Sequence, residues 1–407
     1  MYVKRMAVGL VAAVLALAGC SATASTTQPS ATQGAAATAG AAATVAPGAG
    51  YTFAVIGPFS GDNAQYGVNL QKGVQLAADQ INAAGGIKGK QLQLEFLDTQ
   101  CTATGAATAA AKIAADPSVF AVIGDVCSSA TLAALPILAR AGISEFSGDS
   151  SSPQITQVVE KNGYTNFART IPSDDVVAKN LVKLAVNYLG KKRIAVIYSN
   201  DGFGQGIWAY QQPAIPALGA TLADAESYTP STTKDFTPQL TKIAAAKPDA
   251  LIIDGYYNDA GPMVAQMSRV GLQNVPVICS AGIDQTGFIQ LGGQAAEGAY
   301  VFTYYSPTNP SPANQKFVAA FQAKYNATPN EQAAYGYELP FILQQAIDQG
   351  ATRGDLAKVV KGLTFVGPTG TTKFDSNGDV VGKGAVVLQV KSGTFVVNTA
   401  ATAAVAN

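Results

Sequence analysis

The chain has 407 residues, 48% of them hydrophobic and 13% charged, with 41 glycines and a formal net charge of zero. That length exceeds one ordinary core and suits two lobes plus extras in a compact body. No basic block or Arg-rich helix supports nucleic-acid binding, and the complete absence of histidine removes the commonest general base, the commonest metal ligand and every Ser-His or Cys-His nucleophile pair.

In chain order, Lys4 and Arg5 come first, then the apolar run Val8–Ala18, then Leu17-Ala18-Gly19-Cys20. A run of about 11 apolar residues is too short to span a bilayer and fits the core of a signal peptide. The cysteine after Leu-Ala-Gly resembles a bacterial lipobox, which implies removal of residues 1–19 and lipidation of Cys20. The plainer reading is an ordinary secretory signal with an incidental cysteine. Residues 21–50 carry no charge and no aromatic; such a segment buries too little surface to fold and reads as a tether. With Cys20, residues 20–50 are expected to form a lipid anchor and linker. The body is then extracytoplasmic, at the periplasm or cell surface, and touches the membrane through lipid alone.

From residue 51 the chain alternates strand-like and helix-like pieces. Strands are predicted at 51–58, 91–99, 120–125, 193–199 and 250–256, several of them continuous apolar runs suited to burial on both faces of a parallel sheet. Between them, helical spacing predicts helices over Val68–Ala84, ended by Gly85-Gly86, over Asp175–Leu189, ended by Gly190, and over 234–249. The βαβ pattern occurs twice, over 51–169 and 171–300, so the expected fold class is α/β, with two doubly wound Rossmann-like lobes. Ligands of such units sit beyond the carboxyl ends of the strands, and two facing lobes make a cleft. Helices at 311–326 and 333–349 follow, then a hairpin-like tail in which "FDSNGDV" (374–380) places Asn-Gly between short strands.

With Cys20 lipidated, Cys101, Cys127 and Cys279 remain in a compartment that allows disulfides. Three thiols suggest one pair and one lone buried group. No Cys-x-x-Cys spacing exists, so a zinc site is not expected, and no metal or cofactor is predicted.

The stretch Gly124-Asp125-Val126-Cys127-Ser128-Ser129 follows the apolar run "VFAVI". A helix starting near Ser128 would present free backbone N–H groups and the positive end of its dipole, which suit a carboxylate; equally, Ser128 and Ser129 would serve as plain helix caps. "DGFGQG" (201–206) has isoleucine at 207 instead of the last glycine of a dinucleotide fingerprint, which weakens that reading.

Long blocks carry a resemblance: "GPFSG", "AQYG", "INAAGGIKGKQLQL", "VIGDVCSS", "FGQG", "KDFTPQLTKIAAAKPDALIIDGYYNDAG" and "VGPTGTTKFDSNGD". Over about residues 51–385 the sequence resembles the branched-chain amino-acid-binding receptors of ABC importers, with the type I periplasmic-binding-protein fold. The resemblance implies two lobes joined by three hinge crossings, near Arg169–Pro172, Val301–Tyr304 and Leu363–Pro368, which close on a small ligand and dock on a permease. It assigns 51–169 plus 303–363 to the first lobe and 171–302 plus 364–398 to the second.

It also implies a Cys101–Cys127 disulfide, leaving Cys279 as a small buried apolar residue. Ser128 matches the carboxylate-binding serine, and Asp149, Ser150 and Ser151 fall on the neighbouring ligand-binding turn, Asp149 where a small residue is usual. Tyr66, Phe203 and Tyr256 match cleft aromatics. Ala281 stands where amino-acid-binding members have an acid for the ligand's ammonium, with Asp284 three residues on. Either Asp284, Asp254 or Asp149 takes over that role, or the ligand has no ammonium.

The expected protein is a monomeric, non-enzymatic solute receptor of an ABC importer, binding a branched-chain or similar apolar amino acid. A receptor or sensor of the same fold for amides, urea-like compounds or aromatic and organic acids is the alternative. A Ser-Lys hydrolase lacks a suitable Ser-x-x-Lys on a helix.

Overall fold

The computed structural model describes residues 50–406; the expected signal peptide, Cys20 and nearly all of the tether lie outside the described residues.

The first sheet is built from β1 (Tyr51–Gly57), β2 (Leu92–Asp98), β3 (Val119–Ile123), β4 (Glu145–Ser147) and β5 (Phe167–Arg169). They run parallel in the order β2-β1-β3-β4-β5. The crossovers are α1 (Ala64–Ala83), α2 (Ala103–Ala115), α3 (Ser128–Arg140) and α4 (Pro153–Asn162). β3 is buried at every residue, as its unbroken apolar sequence requires when helices cover both faces.

The chain then crosses through Thr170–Ser173 into α5 (Asp174–Lys183), which continues as a single widened turn over Leu184–Tyr188. The second sheet takes β6 (Arg193–Ser199), β7 (Thr221–Tyr228), β8 (Ala250–Asp254), β9 (Val277–Cys279) and β10 (Tyr300–Thr303). Their order, β7-β6-β8-β9-β10, repeats that of the first sheet. Between them lie α6 (Gly204–Ala217), α7 (Thr237–Ala245), α8 (Tyr257–Gln266) and α9 (Thr286–Gly292). The twofold βαβ reading is thus the observed architecture, each copy with a topological switch between its first and third strands.

After β10 the chain returns to the first lobe with α10 (Pro312–Tyr325), α11 (Glu331–Asp348) and α12 (Leu356–Lys361). Helix α11 lies directly on α1. A Cβ at Gly73 would stand 2.1 Å from the Ala333 carbonyl oxygen, so the contact is backbone to backbone and admits only glycine. This seating brings the start of α11 to the mouth of the first sheet.

The third crossing falls later than Leu363–Pro368. The ribbon β11 (Phe365–Gly367) with β12 (Gly370–Thr372) comes first. The "FDSNGDV" turn follows, with Phe374 bridging Val380 and Asp379 bridging Arg169 of β5. The buried Arg169 guanidinium fixes that bridge, with Nε 2.6 Å from Asp379 Oδ1. Residues 364–380 therefore stay with the first lobe, contrary to the expected boundary at 364. Only then does β13 (Val386–Lys391) add antiparallel to β10, with β14 (Thr394–Val397) antiparallel to β13 and α13 (Thr399–Val405) at the end.

Candidate functional site

Both switch points open onto one cavity between the lobes. Its wall includes Tyr66, Val126, Cys127, Ser128, Asp149 and Ser151 from the first lobe. Ile171 of the first crossing, Phe203, Tyr256, Ala281 and Gly282 of the second lobe, and Glu331 and Gln332 at the start of α11 complete it.

The first-lobe wall begins where β3 ends. Gly124 has φ 114°, and a Cβ there would meet the Ile56 carbonyl oxygen at 2.0 Å. The chain then turns through Asp125, whose Oδ1 accepts the Cys127 amide at 2.9 Å. Cys127 is the cap residue of α3, and its sulfur joins Cys101, with Cα atoms 5.4 Å apart. The disulfide implied by the resemblance is formed, and Cys279 is a free buried thiol.

Ser128 is the first helical residue of α3, and no side chain caps this helix. The plain-cap reading of Ser128 therefore does not hold: its Oγ accepts the Ser152 amide from the neighbouring loop at 3.2 Å. The Ser128 and Ser129 amides precede the first bonds of α3, which the Ala130 and Thr131 amides make to the Cys127 carbonyl, and Ser128 lines the cavity.

The adjacent serines divide their work. Ser150 is fully buried and turns away from the cavity, its hydroxyl 2.9 Å from the Asp125 carbonyl oxygen and 2.8 Å from Thr131 Oγ1. It shapes the loop and does not line the site. Ser151 lines the cavity and donates to Asp174 Oδ2 at 2.7 Å. Ser152 caps α4. Arg169 holds this loop from behind, with Nη1 3.0 Å from the Ser150 carbonyl and 2.9 Å from that of Ser152.

The second-lobe wall is aromatic. Phe203 and Tyr256 have ring centroids 5.6 Å apart, and Tyr66 faces Tyr256 at 6.3 Å from across the cleft. The Tyr256 hydroxyl donates to Asp201 Oδ2 at 2.6 Å. Tyr66 donates to the Gly282 carbonyl and accepts the Tyr257 amide at 3.2 Å. Gln65 Nε2 meets Thr286 Oγ1 at 2.9 Å, and Lys234 pairs with Asp62 at 2.9 Å. These bonds run from lobe to lobe, so the cleft is closed. The space left between the lobes in this closed form is about 30 Å³.

The acidic positions fall out unequally. Asp149 lines the cavity, with Oδ1 receiving Gln332 Nε2 at 3.0 Å. Burial, reinforced by Asp284 and Asp125, pushes its pKa up to about 8 against the bond from Gln332. Asp284 does not line it. The helical turn Ala281–Ile283 carries Asp284 toward the hinge, where its carboxylate meets Gln285 at 2.9 Å and Thr303 at 3.2 Å; burial pushes it up to about 7. Asp254 is fully buried at the end of β8 and off the wall. Ala281 lines the cavity as a small apolar surface. Glu331 and Gln332, which the sequence reading did not single out, supply the remaining polar wall. Burial, with Asp284 and Asp149 adding to it, raises the Glu331 carboxyl well above its ordinary range.

Among the described residues no group of histidine, cysteine and carboxylate side chains is placed to hold a metal ion, and no helix is long and apolar enough to cross a membrane.

A family model described as "Periplasmic binding protein" matches residues 50–394. The Leucine-, isoleucine-, valine-, threonine-, and alanine-binding protein of Pseudomonas aeruginosa is 29% identical over 80% of this chain and 86% of its own. The crystal structure of the leucine binding protein LivK from Thermotoga maritima has a TM-score of 0.79 at 28% identity, covering 86% of this chain and 97% of that one. The branched-chain amino acid transporter substrate binding protein LivJ from Streptococcus pneumoniae, solved with isoleucine, has a TM-score of 0.78 at 27% identity, over 86% and 100%. The chain belongs to the periplasmic binding protein family, with the type I fold.

Proposed function

We propose that the protein is the extracytoplasmic solute-binding receptor of an ABC importer, anchored through lipidated Cys20 and delivering a branched-chain or similar apolar amino acid to a permease. One observation carries this reading. The start of α3, with Ser128 and Ser151, faces an aromatic wall of Tyr66, Phe203 and Tyr256 in a single interlobe cavity. Amides and hydroxyls at a helix start suit the ligand's carboxylate, and the rings suit its aliphatic side chain. Relatives named for leucine, isoleucine and valine support the same class.

Ala281 on the wall favours one second reading, a receptor of the same fold for amides or aromatic and organic acids. Mass spectrometry of the molecule released by denaturing the purified protein, with a thermal-shift screen of amino acids against organic acids and amides, separates the two. An aliphatic amino acid in both assays is the expected result; stabilisation by acids or amides alone refutes it. Ser128→Ala combined with Ser151→Ala is expected to weaken binding at least tenfold, and unchanged affinity in calorimetry would sink the site assignment.

A further inference from the structure

Two carboxylates, Asp149 and Glu331, line the cavity, and no lysine or arginine does. Asp149 Oδ2 is buried without a hydrogen-bond partner. Glu331 is 2% exposed, and its Oε1 accepts the Thr303 hydroxyl at 3.1 Å and the Tyr304 amide. Every charged group around the pair is accounted for. Asp284 and Asp125 add negative charge toward Asp149, and Asp284 does so toward Glu331. The hydroxyls of Tyr304 and Tyr335 lie nearby on the hinge and α11. Lys383 is the one cation whose charge reaches Glu331, but its ammonium is held 3.7 Å from Glu338 and against the Tyr335 ring, off the cavity wall. Arg169 is taken by Asp379, Thr156 and two carbonyls.

A buried carboxylate without a counter-charge is strongly unfavourable, and such a group keeps its proton until a cation arrives. We infer that Asp149 and Glu331 together hold the cationic group of the ligand, in place of any acid at position 281, so that the receptor selects zwitterions over simple carboxylic acids. This rests on the amino-acid reading and names the part of the cavity that enforces it. Position 281 contributes only a methyl group to the wall, and Asp254 and Asp284 are off it, which leaves these two carboxylates.

The pair is also wired to closure. Gln332 Nε2 donates to Asp149 Oδ1 while its Oε1 accepts Gln285 Nε2 of the second lobe at 2.6 Å. Asn69 of α1 donates to the same glutamine, Gln285, at 3.1 Å. An ammonium seated between Asp149 and Glu331 thus lies against a hydrogen-bonded chain that spans both lobes. Because burial pushes the Asp149 carboxyl up to about 8, seating the cation beside it near neutrality displaces a proton to solvent.

The test is calorimetry on the full-length protein, with leucine and its deaminated counterpart 4-methylpentanoate as probes, in buffers of different ionisation enthalpy at pH 7. Leucine is expected to bind at least a hundredfold more tightly than 4-methylpentanoate and to release protons. Asp149→Asn and Glu331→Gln should each weaken leucine at least tenfold, leave 4-methylpentanoate unchanged or tighter, and cut the proton release. The wild-type proton count is read without any variant, so misfolding of a variant leaves the inference testable. If leucine binds with no proton release, or if both variants retain wild-type affinity, the inference fails while the amino-acid reading stands. If the wild type binds 4-methylpentanoate or an amide but no amino acid, both fall together.

Discussion

Ser129 and Asp201 meet across the cleft, the serine hydroxyl 3.3 Å from Asp201 Oδ2. The same carboxylate oxygen accepts the Tyr256 hydroxyl at 2.6 Å, and the serine oxygen accepts the Gly202 amide at 3.1 Å. One acid thus ties the start of α3 in the first lobe to an aromatic of the ligand wall in the second.

Ser129→Ala removes this tie without touching the aromatic wall. One hydrogen bond to a charged acceptor contributes about 1.5–3 kcal/mol when fully formed, and at 3.3 Å the lower end applies. Because the bond exists only between closed lobes, its loss acts on closure and not on the stability of either lobe. Ligand affinity is expected to drop roughly tenfold, mainly through faster release, with the melting temperature of the ligand-free protein unchanged. Stopped-flow dissociation beside calorimetry checks this; an unaltered release rate refutes the latch.

Arg169 makes a different prediction. Its guanidinium is fully buried and bonds Asp379, Thr156 and the carbonyls of Ser150 and Ser152. Removing one partner of a buried ion pair leaves the other uncompensated and costs about 3–5 kcal/mol. Arg169→Met should lower the unfolding free energy by about that much in denaturant titrations. Arg169→Lys keeps the charge but lacks the planar fork for several acceptors, so it should recover only part of the loss. Full recovery by lysine would show that charge alone matters.

The doubly wound body was legible because β3 and β8 are buried at every position, and a strand covered on both faces must read as an unbroken apolar run. β7 escaped notice for the converse reason. It is the edge of its sheet, mostly half-exposed, and "TLADAESY" carries no such run. The stretch holding Ser128 was legible because it follows the unbroken apolar run of β3, whereas Ser151 and the cleft aromatics were reached only through the family resemblance. Glu331 and Gln332 were not. Gln332 bonds Asp149 across 183 positions of sequence, and it does so because α11 is seated on α1 through Gly73, a contact that no local pattern encodes. Asp284 was misplaced because three residues of helical turn rotate it off the face that Ala281 occupies. The third crossing was misplaced because the Arg169–Asp379 pair binds a tail that sequence shows only as a turn.

Stability should fall as pH rises through neutrality. Burial pushes Asp125 up to about 6 and Asp174 up to about 7, the latter despite the Ser151 hydroxyl and Arg169. Unfolded aspartates release their protons near pH 4, so between pH 4 and about 7 the folded protein binds more protons than the unfolded chain. Stabilisation that is complete below pH 4 is therefore lost progressively over that window. The melting temperature of the ligand-free protein is expected to be higher at pH 5 than at pH 8, and Asp174→Asn should flatten the dependence. A melting temperature that rises between pH 5 and pH 8 in scanning calorimetry contradicts this.

The Cys101–Cys127 bond staples the turn after β2 to the start of α3, with 26 positions between its ends. Loop closure over that length restricts the unfolded chain by about 3 kcal/mol in the chain-entropy treatment. Replacing both cysteines by serine should lower the unfolding free energy by about that amount. Cys127 also caps α3 and lines the cavity beside Ser128, so the consequence reaches past stability. A looser start to α3 misaligns the amides proposed to meet the ligand's carboxylate. The double variant should therefore bind more weakly even at temperatures where it is fully folded, by a factor shared with an analogue that keeps the carboxylate and lacks the ammonium. If affinity is unchanged while stability falls, the bond serves only the unfolded chain, and the α3 start is held by Asp125 and Ser152 alone.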